Sequence, residues 1–478
     1  MGPVTQLPVQ RVMDTERARL AGRQLGVDVD IHSQLRPFEA HRWREGDSPH
    51  PTLHLDDVSA IPFLADIAGI EEYQHRGRLR AGDGDIYVTV TPAGEGYESY
   101  CRHTLRMGHP EHLVADPLGP AIAVARSCKV GAAHARLVEA TRESGGLTIH
   151  PYMGIEDVWE LAAVLSVDSH SPVRVIAPPP PVTWIANDKA TFGELVARVL
   201  GREALVETRI SGELTTIESD LRALSAKYPR VGLKRTRCAS AMGNAVFSSR
   251  DLHSDRAISI AVREFLERTE WPEGEDVLTV AWLDTELSPS TQVWIPPLRL
   301  GEPRLDGIYE QILKGEEKVF VGSRPSTLPD AVNQELGTAA RMLATALQEL
   351  GYVGRCSFDH LVTGDIHGDF QVLFTECNGR WGGTSTPMSL LDRILHGPRP
   401  SYRAQDVIYP ELIGARVPDL LELLGDMVFR TDTGKGRFIV YNLGPLEAHG
   451  KFDIISIGAD QNDAERGALE ILPERLGL

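Results

Sequence analysis

The residues best suited to chemistry in this chain lie in Phe374-Thr375-Glu376-Cys377-Asn378-Gly379-Arg380-Trp381-Gly382-Gly383-Thr384. Residues 372–374 are apolar and read as a buried strand. A strand sends alternate side chains to one face, so Glu376 and Asn378 project together, a carboxylate beside an amide oxygen. Two hard oxygen ligands on one face suit magnesium. Upstream, residues 352–362 read as a second strand, and polar, glycine-containing residues 363–369 join the two as a hairpin. With the turn centred on His367-Gly368, Asp359 falls opposite Glu376 and adds a third oxygen ligand. Magnesium is commonly held by one or two carboxylates plus substrate phosphates, which such a hairpin presents. Arg380 adds a planar cation that forks onto phosphate. The plain alternative is an edge hairpin with solvated acids. Weighing against it, Gly379, Gly382 and Gly383 permit close backbone approach to a ligand, and Thr384 and Ser385 supply hydroxyls for an anion.

The rest of the chain must position that hairpin. At 478 residues, with 42% hydrophobic and 24% charged residues, it reads as a globular protein of about three domains. No apolar run reaches the roughly 18 to 20 residues of a membrane helix, and no signal-peptide core stands at the N-terminus, so a cytoplasmic protein without a membrane partner is expected. A net charge of -18 without a basic cluster argues against nucleic acid as a partner. Five cysteines form no C-x-x-C pair, and the sixteen histidines show no H-E-x-x-H spacing, so reduced, packed thiols are expected rather than zinc or disulfides.

In chain order, residues 1–80 offer helical pieces at 14–25 and 61–68 and no chemistry; they are a candidate scaffold or homodimer contact. From residue 85, strands (86–90, 112–115, 147–149) alternate with helices (97–107, 132–144, 155–165), the pattern of a parallel, Rossmann-like sheet. Gly94-x-Gly96 lacks a third glycine and reads as an ordinary turn. Prolines 178–181 read as an extended, stiff connection between domains. Beyond them come Asn187-Asp188-Lys189 before a helix, and then a strand carrying Lys234, a small-residue loop and another strand at 245–247. A buried lysine and a loop whose N–H groups fold over a triphosphate form a phosphate cradle. A short apolar strand at 276–284 and an amphipathic helix at 328–350 precede the hairpin. Arg299, Arg304 and Arg324 are further candidate anion ligands. Residues 396–478 read as a compact appended α+β module.

A strand ending Glu-x-Asn-x-Arg-x-Gly-Gly after a strand carrying Asp, preceded by Asn-Asp-Lys and a lysine strand with a small-residue loop, resembles the ATP-grasp superfamily over roughly residues 85–390. The resemblance implies an α/β ATP-grasp fold with a Rossmann-like pre-ATP-grasp domain over 1–180, a small lobe over 181–275, a large lobe over 276–395 and a C-terminal α+β module. It implies an enzyme that phosphorylates a small-molecule carboxylate with ATP and magnesium and lets an amine displace the phosphate, an ADP-forming ligase. ATP contacts are then expected from Lys189, Lys234, Ser240, Ala241, Met242, Gly243, Asn244, Trp282, Leu283 and Glu286, with the last on the ribose. Asp359, Glu376 and Asn378 would hold the metal, and Arg380, Gly383 and Thr384 the acyl phosphate. The loop after Lys234 has fewer glycines than is usual in the family. The motif combination, with Tyr441-Asn442-Leu443-Gly444-Pro445, is most similar to peptide ligases of the pheganomycin type, which join an unusual amino acid to a peptide in antibiotic biosynthesis. A small-molecule kinase on the same fold and a non-catalytic nucleotide-binding module are the alternatives, and the product distinguishes the first two.

Overall fold

The computed structural model describes residues 7–44 (backbone only over 7–12), 51–64, 67–238, 243–315 and 318–478. Its strands fall into three sheets in chain order. The first holds β1 (Thr52–Leu55), β2 (Ile86–Thr89), β3 (Glu111–Val114), β4 (Leu147–Pro151) and β5 (Val173–Val175), in the order β3-β2-β1-β4-β5 and parallel throughout. Parallel neighbours need long crossovers, and helices such as Gly131–Ser144 and Glu156–Ser169 provide them. The middle strand, β1, was not expected from the sequence. Its alternation is only Leu53 and Leu55 inside a stretch rich in His and Pro, yet both leucines are fully buried.

Two other expectations for this region are corrected. The described part of residues 61–68 forms turns, and the helical segment is instead a 3-10 helix, Ile70–Leu79. All its residues from Gln74 to Leu79 are buried, polar ones included, because they find partners: Arg78 pairs with both carboxylate oxygens of Glu98 at 2.7 and 3.1 Å. The prolines at 178–181 are no exposed linker. Pro180 occupies the first position of helix Pro180–Asn187, where its missing N–H costs nothing, and the Pro178 carbonyl accepts from Trp159 Nε1 at 3.2 Å and Thr183 Oγ1 at 3.0 Å. A methyl group on Gly154 would stand 2.1 Å from that carbonyl oxygen. Gly154→Ala is therefore expected to cost about 2 kcal/mol or more through forced backbone displacement, read as a lowered urea midpoint at unchanged m-value.

The second sheet holds β6 (Thr208–Ser211), β7 (Arg230–Arg235), β8 (Asn244–Ser248) and β9 (Val277–Ala281), antiparallel in the order β6-β9-β7-β8. Helices Leu214–Ser225 and Asp255–Arg268 cover one face with Ile217, Leu221, Val262 and Phe265. The third sheet holds β10 (Pro289–Ile295), β11 (Arg304–Lys314), β12 (Val319–Pro325), β13 (Gly354–Gly364), β14 (Phe370–Asn378), β15 (Ser401–Ile408), β16 (Phe438–Tyr441) and β17 (Lys451–Gly458). Their order is β14-β13-β10-β11-β12-β15-β17-β16. The C-terminal strands thus continue the sheet of the hairpin, where an appended module was expected. The N-terminal part also reaches them, the Val440 N–H donating to Tyr100 Oη at 3.1 Å.

Helix Asp330–Glu349 lies beneath the hairpin with Val332, Leu336, Leu343 and Leu347 fully buried, as its periodicity indicates. Helix Leu7–Asp28 packs on it so closely that a Cβ on Gly22 would lie 2.5 Å from the Ala346 carbonyl oxygen. Its buried Ala18, Ala21 and Leu25 are thus used inside the chain, in keeping with the scaffold role that was one of the two expected for residues 1–80. All five cysteines are free thiols, four of them buried and Cys238 half-buried. No helix among the described residues is long and apolar enough to cross a membrane.

Candidate active site

The β13–β14 hairpin pairs Gly364 with Phe370 at its tip, which centres the turn on His367, half a residue from the expected centre. Between His360↔Phe374 and Asp359↔Glu376 the register shifts, leaving Thr375 as an extra residue on β14. This bulge restores the opposition of Asp359 and Glu376 that a regular ladder with that turn would have lost. Thr375 Oγ1 bonds the Asp359 carbonyl at 3.1 Å and anchors the bulge. Asn378 Nδ2 donates to Asp359 Oδ2 at 2.9 Å, so the three expected metal ligands form one group. Burial, together with the neighbouring Glu376 charge, pushes the Asp359 carboxyl up to about 7. For Glu376, burial acts upward as well, but Lys189 and Lys234 outweigh it and hold the carboxyl below its ordinary value.

Each residue of Asn187-Asp188-Lys189 has its own task. Asp188 caps helix Lys189–Leu200, its Oδ1 accepting from the Ala190 and Thr191 N–H groups at 3.1 and 3.0 Å. Lys189, 8% exposed, reaches Glu376 Oε2 at 2.9 Å and Cys238 Sγ at 3.3 Å, while its backbone N–H donates to the Thr236 carbonyl. Asn187, noted in the sequence only as part of the Asn-Asp-Lys motif and given no role of its own, accepts from the Gly379 N–H at 3.0 Å through Oδ1 and donates from Nδ2 to the Gly379 carbonyl at 3.4 Å. A side chain on Gly379 would meet that amide at 2.6 Å. One helix start thus fixes the end of β14 and neutralises its carboxylate.

Lys234 rises from β7 with Nζ 5.0 Å from the Trp282 ring centroid, and Gly232 leaves room for that ring, 2.9 Å from where its Cβ would be. Burial lowers the Lys234 pKa, Glu376 opposing and Lys189 adding to the shift. Lys189, Lys234, Asn244, Trp282, Leu283, Asp359, Glu376, Asn378, Arg380, Gly383 and Thr384 all line one cavity of about 720 Å³. Ile210, Leu278, Val280 and Ala281 give it an apolar wall beside Trp282, suited to a flat base. At the other side, Thr384 is buried at the start of helix Ser385–Ile394, whose N-terminus favours an anion, and Phe320 sits 2.4 Å from the position a Gly383 Cβ would take.

Several expected contacts are not brought there. Glu286 is exposed and outside the cavity wall, because Thr285 Oγ1 ties the turn to the Val362 carbonyl at 2.8 Å. Gly243 closes the loop, its carbonyl accepting from the Arg235 N–H, but does not line the cavity. Ser240, Ala241 and Met242 lie outside the described residues. Arg299 and Arg304 are exposed, and Arg324 is engaged by Glu310 at 2.8 Å and Glu465 at 3.2 Å.

The sequence reading missed β10, whose Ser290 hydrogen-bonds Asp359 and whose Gln292 leaves a buried Oε1 without a protein partner. It also missed Tyr73, Arg76, Asp406, Lys451 and Asp453, which line the same cavity. An aspartate inside the apolar run of β17 was the available signal. No group of three or more His, Cys, Asp or Glu with metal-holding geometry occurs among the described residues. Two carboxylates and an amide oxygen nevertheless fit magnesium, which takes its remaining ligands from phosphate and water.

A family model for the pre-ATP-grasp domain matches residues 74–167. The sequence has no match among curated proteins. Among solved structures, an ADP complex of N5-carboxyaminoimidazole ribonucleotide synthetase is similar at 13% identity, covering 90% of this chain and 98% of that one with a TM-score of 0.54. The Aspergillus clavatus N5-carboxyaminoimidazole synthase, bound to ADP and 5-aminoimidazole ribonucleotide, is similar at 12% identity, 90% and 99% coverage and a TM-score of 0.53. The biotin carboxylase domain of Hydrogenobacter thermophilus 2-oxoglutarate carboxylase, with MgADP and bicarbonate, is similar at 14% identity, 89% and 92% coverage and a TM-score of 0.51. The chain has the ATP-grasp fold, as the sequence motifs led us to expect, with the pre-ATP-grasp match taking in β2, β3 and β4 of its first sheet.

Proposed function

We propose that the chain is an ADP-forming carboxylate–amine ligase that activates a small carboxylate with ATP and joins it to the amine of an amino acid or peptide. The observation that carries this reading is the convergence of Lys189, Lys234, Asp359, Glu376 and Asn378 on a cavity with an apolar, Trp282-bounded wall. Solved structures with this fold are complexes with ADP, MgADP and ATP, which supports the choice of nucleotide. The motif combination noted in the sequence supports the narrower reading of a peptide ligase of the pheganomycin type, in antibiotic biosynthesis.

Asp359, Glu376 and Asn378 would hold magnesium, which supplies charge neutralisation between the terminal phosphates. Lys189 and Lys234 neutralise phosphate oxygens, and Lys189 is already positioned by its bond to Glu376. A carboxylate oxygen of the substrate forms a bond to the terminal phosphorus as the bond to ADP breaks. Arg380 and the helix start at Thr384 stabilise the resulting acyl phosphate. The amine nitrogen then bonds to the acyl carbon, phosphate leaves with the electron pair, and the amine loses its proton. Positioning and charge stabilisation are most of what these steps require.

The test is incubation with ATP, magnesium and pooled amino acids, guanidino acids and short peptides, with and without hydroxylamine, identifying nucleotide and acyl products by mass. ADP with a hydroxamate, or with a new amide when hydroxylamine is omitted, is the expected result. AMP overturns the mechanism, and ADP with a stably phosphorylated substrate makes the protein a kinase.

A further inference from the structure

Beyond the metal hairpin the cavity extends between the 3-10 helix Ile70–Leu79 and the C-terminal strands, and its charges there are not explained by a nucleotide site. Asp406 on β15, Asp453 on β17 and Tyr441 on β16 are direct cross-strand neighbours, so they form one row across the sheet. Asp453 Oδ1 is buried without a well-formed hydrogen bond, and the 1% exposed Asn442 amide beside it acts only to hold the carboxyl down. A buried carboxylate oxygen without a donor is destabilising, and a ligand N–H relieves that.

Opposite charge comes from Arg76 and Lys451. Arg76 is only 6% exposed and lines the cavity, with Tyr73 and Tyr152 rings 4.6 and 4.8 Å from its guanidinium carbon. Its Nε donates to the Tyr73 carbonyl at 3.0 Å and lies 3.5 Å from Asp56 Oδ2. Its faces are occupied by the rings and its Nε by protein, so the terminal nitrogens remain as a fork for a carboxylate. Lys451, 4% exposed, stands 3.5 Å from Asp406 Oδ2, too far for a strong hydrogen bond.

We propose that this end of the cavity binds a free amino acid as its zwitterion, the ammonium on Asp453 beside Asp406 and the carboxylate on the fork of Arg76. Two cavity-lining cations face two cavity-lining anions, and such a balanced set favours a ligand that is neutral overall but carries separated charges. A net cation would leave the terminal nitrogens of Arg76 unused, Asp56 meeting it at Nε, and a net anion would leave Asp453 Oδ1 without its donor. Burial and the adjacent Asp406 push Asp453 up to about 7, a shift that a bound ammonium would reverse. The inference deepens the ligase reading and rests on it for the chemistry that follows binding, since a carboxylate held by Arg76 lies in the cavity that also contains Arg380 and Glu376.

The test is isothermal titration calorimetry on the full chain, with and without saturating ADP and magnesium. The probes are the common L-amino acids, each binder's des-amino acid and decarboxylated amine, and its homodipeptide. An L-amino acid should bind at least about tenfold more tightly than each of these three relatives. Asp453→Asn should remove that preference over the des-amino acid by about tenfold or more while ADP affinity stays within about twofold, and Asp406→Asn should act in the same direction. Absence of amino-acid binding, equal binding of the des-amino acid or the amine, preference for the dipeptide, or an unaffected Asp453→Asn variant overturns the proposal. Failure of ADP to bind counts against the ligase reading instead, and the titrations without nucleotide still decide the zwitterion site.

Discussion

Replacing Glu376 with glutamine is expected to lower ADP formation by about a thousandfold or more, in line with loss of a central electrostatic group from a phosphoryl-transfer site. The amide keeps the size of the side chain and can still accept from Lys189, but it removes the negative charge on which that buried ammonium depends and on which, under the proposed mechanism, magnesium would depend. Lys189 is then left without its charge partner. Because a third of the Glu376 side chain is exposed, the stability loss should be about 1–2 kcal/mol, less than for a fully buried pair. Glu376→Ala adds an empty volume next to the ammonium and should be the less stable of the two. ADP release measured beside the circular-dichroism melting curve separates the effects. Turnover retained in a folded Glu376→Gln variant would remove Glu376 from the metal site.

Acid should weaken the parallel-sheet domain through its histidines. His112 stacks on Tyr87, ring centroids 4.2 Å apart, and its Nε2 meets Thr89 Oγ1 at 2.8 Å. That hydroxyl already donates to the Thr91 carbonyl at 2.7 Å, so it can only accept from the ring. Burial, reinforced by His75, pushes the imidazole down to about 4. A histidine depressed below its unfolded value contributes stability that is complete above about pH 6.5 and is lost as pH falls toward 4, because the unfolded chain binds the proton first. The full linkage slope of about 1.4 kcal/mol per pH unit is reduced to about 1 by the part of the ring that solvent reaches. His54 and His150 are depressed by burial as well and act in the same sense. Raised carboxyls such as Asp57 act oppositely, so the contribution is read as a difference. His112→Phe keeps the ring stack and removes the titration. Urea midpoints at pH 7, 6, 5 and 4 should show the variant gaining on the unmodified chain by about 1 kcal/mol per unit below pH 6. A constant difference would mean that His112 accepts its proton in the folded state.

Where the sequence could be read, the information was local. Glu376 and Asn378 share a face because they are two residues apart on a strand, and Asp359 was placed opposite by counting back through a short turn. The pairing was reached although the turn is centred half a residue earlier, since the bulge at Thr375 compensates. Nothing in the side-chain pattern announces a bulge. Glu286 was expected on the ribose, but it is exposed, next to Thr285, whose hydroxyl bonds the Val362 carbonyl. The proline run had the composition of a linker and became the buried start of a helix, because Trp159 and Thr183 satisfy the Pro178 carbonyl.

By itself, then, the sequence determined the hairpin that brings Asp359, Glu376 and Asn378 together and the two lysine-bearing segments that flank it, features set by spacings of a few residues, and through the resemblance of those motifs the ATP-grasp fold class. Only the tertiary structure decided that Asn187 clamps Gly379 and that β1 forms the middle of the parallel sheet. It alone carried the C-terminal strands into the hairpin's own sheet and brought Arg76, Asp406 and Asp453 to the wall of one cavity. The physical reason is range. Alternation and turn pairing follow from backbone geometry between near neighbours, whereas the burial of a charge and the partner it meets depend on how distant segments pack, which local periodicity does not encode.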